Sequence, residues 1–509
     1  MPLNVMTARA AAELIRDGDT IITDGFIGSC FAEELAIGLE QRYLETGTPK
    51  DLTLVYCAGQ GDGSSRGLNH LGHEGLLGRV IGGHWNLVPK VQKLAVENKV
   101  EAYNLPQGVL CHMLRDIAAG RPGTLTHVGL KTFVDPRHGG GRINERTKKD
   151  IVRLMEIDGR EYLFYQTFPI HVALLRGTYA DENGNVTMEN EGLTVSMLSA
   201  AQAARNSGGR VIVQVERIVK AGSLDPRLIK IPGIYVDAVV VASSAEYHMQ
   251  TFGTRYNPAF TGQVTVPLHS LPPMKLDERK IICRRAAMEI REGDIVNLGI
   301  GLPEGIGSVA NEMGIHDRFI LTVESGAIGG VPQSGLDFGC SINPQAIIDQ
   351  ANQFDSYHGG GLDIAFLGLA QADEKGNINV SKFGPRIPGA GGFVDITQNA
   401  KTVVFCGSFM AKGLRVAARD GTLSILSEGT VKKLVSEVEQ VTFSGEYAVE
   451  MRQRVLYITE RAVFALTPKG LELIELAPGV DLQRDIFDRM EFVPIVREPK
   501  LMDEWIFVE

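Results

Sequence analysis

Long apolar runs are missing from these 509 residues: no window approaches the ~18 uninterrupted apolar residues of a membrane span. The N-terminus has no apolar signal core either. Met1-Pro2-Leu3-Asn4-Val5-Met6 runs straight into a helical pattern carrying Glu13, Arg16 and Asp17. Basic charge is in deficit, with 51 Lys+Arg against 61 Asp+Glu and a net charge of −10. A protein that tracks nucleic acid needs a basic stripe, so that class is excluded. One short basic stretch, 137–153 with Arg142, Arg146, Lys148 and Lys149, is expected to be a solvated loop and helix start. The six cysteines, Cys30, Cys57, Cys111, Cys283, Cys340 and Cys406, form no Cys-x-x-Cys pair. That excludes a zinc ribbon or a thioredoxin-type motif and suits a reducing compartment. These absences predict a cytoplasmic protein with neither a membrane nor a nucleic-acid partner.

Several catalytic motifs are also lacking. Gly299-Ile300-Gly301-Leu302-Pro303-Glu304-Gly305 approaches a dinucleotide fingerprint and fails it, because G-x-G-x-x-G needs glycine where Glu304 stands. There is no phosphate-binding G-x-x-x-x-G-K-[ST] and no H-E-x-x-H. His70, His73 and His138 have no companion at ligand spacing, so they are expected to pack or face a loop, and no metal is expected.

What is present is an ordinary globular composition, 44% apolar and 22% charged, with many glycines (58) in short clusters. At roughly 150 residues per domain the length suits two large domains or three smaller ones. Short Val- and Ile-rich runs alternate with helical stretches: 19–23, 52–56, 210–215, 236–242, 294–298, 318–323, 362–367 and 402–406. The pattern predicts an α/β fold with open, largely parallel sheets. The chain also repeats itself. Ile15-Arg16-Asp17-Gly18-Asp19-Thr20-Ile21 resembles Ile290-Arg291-Glu292-Gly293-Asp294-Ile295-Val296. Ala180-Asp181-Glu182-Asn183-Gly184-Asn185-Val186 resembles Ala372-Asp373-Glu374-Lys375-Gly376-Asn377-Ile378, and each is expected to make a hairpin turn. The first pair is offset by 275 positions and the second by 192, so the N-terminal half carries roughly 83 more residues, placed mostly within about 60–150. Three prolines in 262–277 mark an extended linker. Two related α/β domains are therefore expected, 1–261 and 278–509, joined by 262–277 and facing across a cleft.

Four glycine-bearing elements are candidates for chemistry. In 318–330 a β-type run ends in Glu324, where ligands bind beyond strand ends. Glu324 is either a catalytic carboxylate or an exposed strand-end acid. In Phe383-Gly384-Pro385-Arg386-Ile387-Pro388-Gly389-Ala390-Gly391-Gly392-Phe393, the glycines could turn backbone N–H groups into a cavity, as an oxyanion hole requires, or simply make a turn. Gly359-Gly360-Gly361 leads into a strand, and Asn104-Leu105-Pro106-Gln107-Gly108 precedes an apolar helical stretch.

Together these elements resemble the class I coenzyme A transferases, over nearly the whole chain. Glu324-Ser325-Gly326 and Gly389-x-Gly391-Gly392-Phe393 match the family's E-[SN]-G and G-x-G-G-F pair in order. Stretches 101–136 and 357–399 look like the single-chain acetate/propionate branch. The resemblance implies an enzyme with two related α/β domains, its active site at their junction, and ping-pong exchange of CoA between short-chain carboxylic acids such as acetate, propionate or butyrate. Acyl-CoA would be substrate, with no resident cofactor, and the protein would be a homo-oligomer, dimer or tetramer. It implies that Glu324 is the nucleophile, forming an acyl-glutamyl anhydride and then a glutamyl-CoA thioester. Gln107 would contact the tetrahedral intermediate. Gly389, Ala390, Gly391 and Gly392 would form the oxyanion hole, and Gly299, Gly301, Gly359, Gly360 and Gly361 would line the CoA site. Some 3-oxoacid relatives carry two asparagines where this chain has Tyr56 and Cys57, which argues for simple acids; Cys57 is expected to be a packing residue. The preferred acid would depend on packing around Phe26, Gln60 and Ala327. Rival readings are an acyl-CoA thioesterase and a non-catalytic CoA- or metabolite-binding protein.

Overall fold

The computed structural model describes residues 3–267 and 274–509. The chain groups into two compact units that interleave along the sequence. The first holds 1–266, 323–355 and 384–395; the second holds 267–322, 356–383 and 396–509. The expected linker 262–277 includes 268–273, which lie outside the described residues.

The first unit is built on a sheet of seven parallel strands: β1 (Thr20–Thr23), β2 (Leu52–Tyr56), β3 (Leu77–Gly82), β4 (Glu101–Asn104), β5 (Val172–Arg176), β6 (Arg210–Val215) and β7 (Ala238–Val241), in the order β7-β6-β5-β1-β2-β3-β4. β1 and β5 are buried along their whole length, as parallel strands covered on both faces must be. Ile21, Leu39, Leu54, Val80, Trp85 and Ala102 share one fully buried core. Each large aliphatic side chain there contributes about 1.5–3 kcal/mol by leaving water.

In the second unit β8 (Ile295–Leu298), β9 (Ile320–Thr322), β10 (Ile364–Gly368), β11 (Thr402–Cys406), β12 (Arg454–Ile458), β13 (Ala462–Thr467), β14 (Gly470–Leu476) and β15 (Ile495–Leu501) follow the order β9-β8-β10-β11-β12-β13-β14-β15. The strands from β9 to β12 are parallel, and β12 to β14 form an antiparallel meander. The order β7-β6-β5-β1-β2 of the first unit thus recurs as β12-β11-β10-β8-β9 in the second. Open sheets with helices, in two related copies, are the expected α/β fold; the alternation predicted largely parallel strands, and the antiparallel meander makes the second sheet mixed. β9 is shorter and less buried than the run 318–323 suggested, with Ile320 exposed.

The repeat extends to single hydrogen bonds. Asp19 accepts from the Arg16 N–H at 2.8 Å, and Asp294 accepts from the Arg291 N–H at 2.8 Å. In the hairpins, Asp181 accepts from the N–H groups of Asn183 and Asn185 and from the Asn185 side chain. Asp373 does the same with Lys375, Asn377 and the Asn377 side chain. Gly184 and Gly376 supply the positive φ (+82° and +80°) that both turns need. The additional chain of the N-terminal half includes β3, β4 and an antiparallel sheet of Gly123–Thr126, Arg160–Gln166 and Val152–Ile157. The basic stretch beside it is bound up locally: Arg137 pairs with Asp135 and Glu161, and Arg142 with Asp150. No helix among the described residues is long and apolar enough to cross a membrane.

His70 and His73 do pack, and they do so against acids. His70 lies between Glu33 (3.1 Å) and Glu40 (2.5 Å), and His73 touches Glu40 at 2.7 Å. Burial pulls the His70 imidazole down, but the bonds to Glu33 and Glu40 outweigh it and hold it above the ordinary histidine value. A raised folded-state value means the contribution is full below the unfolded value of about 6.5 and fades as pH rises through the folded one. The melting temperature of the wild type is therefore expected to fall between pH 6.5 and 8.5 more steeply than that of His70→Gln. Parallel curves would show that the cluster contributes nothing.

Candidate active site

Glu324 comes two residues after the end of β9 and belongs to the first unit, although it stands in the C-terminal half of the sequence. It is 8% exposed, so the strand-end acid is a buried one. Its place is set by a tight turn. The Val323 N–H donates to the Ala327 carbonyl at 2.9 Å, and the Gly326 N–H to the Val323 carbonyl at 3.0 Å. Ser325 Oγ donates to the Gly339 carbonyl at 2.7 Å. Gly326 has φ +113°, and a Cβ there would lie 2.0 Å from the Ile348 carbonyl oxygen. Each residue of the Glu-Ser-Gly motif therefore has a physical role: the carboxylate, the anchor beside it, and the only residue whose backbone fits the turn.

Gln107 opens the helix Gln107–Ala118, and Pro106 at φ −59° brings the chain into it. Gly108 has no room for a side chain: a Cβ would sit 2.5 Å from the Phe354 ring and 2.6 Å from Asp395 Oδ1. The Gly108 N–H donates to Asp395 Oδ2 at 3.1 Å, which satisfies one free donor of the helix start. Gln107 is 2% exposed, yet its Nε2 has no hydrogen-bond partner. An unpaired buried donor costs about 1–3 kcal/mol and calls for an explanation.

The glycine loop 389–392 packs against this helix start. The Gln107 N–H donates to the Gly391 carbonyl at 3.0 Å, and the Gly391 N–H to the Gly83 carbonyl at 2.7 Å. Ala390 donates its N–H to Asn104 Oδ1 at 2.9 Å, while Asn104 Nδ2 donates to the carbonyls of Gly82 (3.0 Å) and Gly83 (2.5 Å). Asn104 thus fastens the loop to the end of β3. Positive φ at Gly389 (+77°) and Gly391 (+55°) shapes the turn, and at Gly389 a Cβ would meet Trp85 at 2.8 Å. The N–H groups of Ala390 and Gly391 are engaged within the protein. Those of Gly389 and Gly392 donate to no backbone acceptor among the described residues. Glu324, Gln107 and Gly389–Gly392, distant in sequence, all belong to the first unit.

The remaining candidates lie in the second unit. Gly299 donates its N–H to the Phe366 carbonyl at 2.8 Å. Gly301, at φ +92° with open space around it, precedes the helix Gly305–Glu312, and its carbonyl accepts from Arg279 at 3.2 Å. Gly360 (φ +84°) and Gly361 close a helix end, with the Gly361 N–H on the Ser356 carbonyl at 2.9 Å.

Two polar residues against the glycine loop escaped the sequence reading. Asn104 is one; its neighbours in the motif were visible, but nothing in the spacing showed its side chain bridging two loops. His84, flanked by Gly83 and Trp85, is the other. The carboxyl of Asp24 was also unremarked. It accepts from the Gly25 and Ser196 N–H groups, yet burial pushes it up to about 7, with the charge of Asp349 adding to the rise. Cys57 is fully buried, and its hydrogen bond with Cys111 together with burial pushes its thiol well above the ordinary range. It is a neutral packing residue, not a nucleophile. Among the described residues no group of three or more His, Cys, Asp or Glu could hold a metal ion.

Comparison with known proteins identifies the family. The family model for coenzyme A transferase matches residues 4–242. A caffeate CoA-transferase of Acetobacterium woodii is 49% identical over 99% of this chain and 97% of its own. The acetate CoA-transferase YdiF of Escherichia coli (strain K12) is 44% identical over 99% of this chain and 95% of its own. The crystal structure of the E. coli O157:H7 acyl-CoA transferase YdiF, a thioester complex with CoA, superposes with a TM-score of 0.94 at 43% identity, covering 100% of this chain and 96% of that one. The α/β fold and the sequence shared with these transferases over the length of the chain mark an enzyme of the CoA-transferring class. The chain belongs to the coenzyme A transferase family, is an enzyme of that type, and takes CoA as substrate.

Proposed function

We propose that this enzyme moves CoA between short-chain carboxylic acids, with acetate and acetyl-CoA as one pair, by a ping-pong route through Glu324. The Glu324 carboxylate attacks the acyl carbonyl, and the C–S bond breaks to release CoA thiolate and leave an acyl-glutamyl anhydride. The thiolate attacks the glutamyl carbonyl, the acid departs as its carboxylate, and a glutamyl-CoA thioester remains. A second carboxylate then reverses the sequence, so no net proton is needed. A carboxylate is a weak nucleophile, and burial away from water strengthens it. Each attack builds an oxyanion. The Gln107 amide and the N–H groups of Gly389 and Gly392 are the donors left for it, each worth about 2.7–4 kcal/mol. Gly299, Gly301 and Gly359–Gly361 would line the CoA path. We place the enzyme in the cytoplasm as a homo-oligomer.

The observation that carries this reading is the unpartnered amide of Gln107, buried against the glycine loop in the unit that holds Glu324. An aromatic acid is a second reading, favoured by the 49% identity to a caffeate CoA-transferase. The test is acetyl-CoA incubated with and without added acid. Propionyl-CoA formed only when propionate is present supports the proposal. Preference for caffeate over propionate selects the second reading. Free CoA released at the same rate without any acid marks a thioesterase.

A further inference from the structure

We infer that His84 is a further catalytic residue, its ring Nε2–H donating to the oxygen that becomes the oxyanion, beside the Gln107 amide. The inference rests on the transfer reaction proposed above. His84 follows the Gly82-Gly83 end of β3 and pairs in an antiparallel bridge with Gly389 of the glycine loop. Its flanking backbone is held on that side, because the Trp85 N–H donates to the Pro388 carbonyl at 2.7 Å. The imidazole lies between two glycines. A Cβ on Gly59 would come within 2.5 Å of Nδ1, and a Cβ on Gly391 would come within 3.6 Å of Cδ2 and 3.7 Å of the Gln107 Oε1. The Nδ1 edge is therefore packed on Gly59, and the Cδ2 side of the ring lies beside Gly391, near the Gln107 amide. The ring is half-buried, and neither nitrogen has a hydrogen-bond partner among the described residues. Around the glycine loop, the His84 ring nitrogens, the Gln107 Nε2 and the N–H groups of Gly389 and Gly392 thus all lack partners among the described residues.

The chemistry asks for a neutral donor there. Burial lowers the His84 imidazole to about 4, with no acid beside it to offset the loss of hydration. At neutral pH the ring is uncharged and donates from one nitrogen only. A cationic imidazolium would hand its proton to the CoA thiolate, a group of pKa about 8.5 by analogy with cysteine, and stall its return to the glutamyl carbonyl. A neutral imidazole stabilises the oxyanion without that loss, the role such a ring plays in other enzymes.

The test compares His84→Ala with His84→Gln, whose amide nitrogen can stand where Nε2 stands. With acetyl-CoA and propionate, His84→Ala should lower kcat about 100-fold with KM changed less than threefold, and His84→Gln should recover at least tenfold of the loss. Both variants should melt within a few degrees of the wild type. If the two variants are equally impaired, or His84→Ala keeps kcat within threefold, the inference is overturned. Trapping of a CoA thioester on the wild type separates the two levels: its absence there overturns the transfer reading itself, whatever the variants do.

Discussion

Glu324→Ala is expected to lose CoA exchange by about 10⁴-fold or more, equivalent to at least about 5 kcal/mol of barrier, while the fold survives. Removing a nucleophile removes the covalent route entirely, so the residual rate would be whatever a direct transfer can reach in the same site. Folding should be spared for a local reason. The turn that carries Glu324 is closed by backbone bonds from Val323 and Gly326 and by the Ser325 hydroxyl, none of which uses the Glu324 side chain. The check is the steady-state exchange rate together with a thermal melt. Near-normal exchange would remove Glu324 from the chemistry.

Gly326→Ala is expected to be the second most damaging single change, through geometry alone. A methyl group there would stand 2.0 Å from the Ile348 carbonyl oxygen, at φ +113°, outside any conformation an alanine adopts comfortably. The carbonyl has little freedom to retreat, because the Ile348 N–H donates back to the Gly326 carbonyl at 3.0 Å. The turn has to open, at a cost of about 2–4 kcal/mol in stability. Opening it displaces the neighbouring carboxylate, and a shift of about 1 Å typically costs about 100-fold in rate. Gly18→Ala is the control. It also has positive φ (+73°), but nothing lies within 4 Å of its Cβ position, so about 1 kcal/mol of strain and full activity are expected. Equal activity losses in the two variants would show that backbone strain in general, not the Glu324 turn, sets the effect.

Much of this was readable in the chain. Strands such as Leu52–Tyr56, Arg210–Val215 and Thr402–Cys406 fall where their Val- and Ile-rich runs placed them, because a parallel strand buried on both faces must be apolar throughout. The repeat was legible because each copy needs the same aspartate to satisfy the same turn. Glu324, Gln107 and the glycine loop were visible as motifs and as a family resemblance. What stayed hidden depends on contacts between segments far apart in sequence. Nothing in 323–355 or 384–395 announces that these stretches leave the strands around them and pack with residues 1–266. Asn104 and His84 belong to the same class of omission. Their contacts are with 389–391, some 285 to 305 positions away in the chain, and no local pattern encodes that distance.

The covalent thioester on Glu324 is the central claim, and peptide mass spectrometry tests it most directly. The pure protein would be mixed with acetyl-CoA, treated with borohydride to reduce any thioester, and digested. The account predicts a reduced modification at Glu324 that requires acetyl-CoA and disappears when excess acetate is added first. An unmodified Glu324, in protein shown to bind CoA, would contradict it.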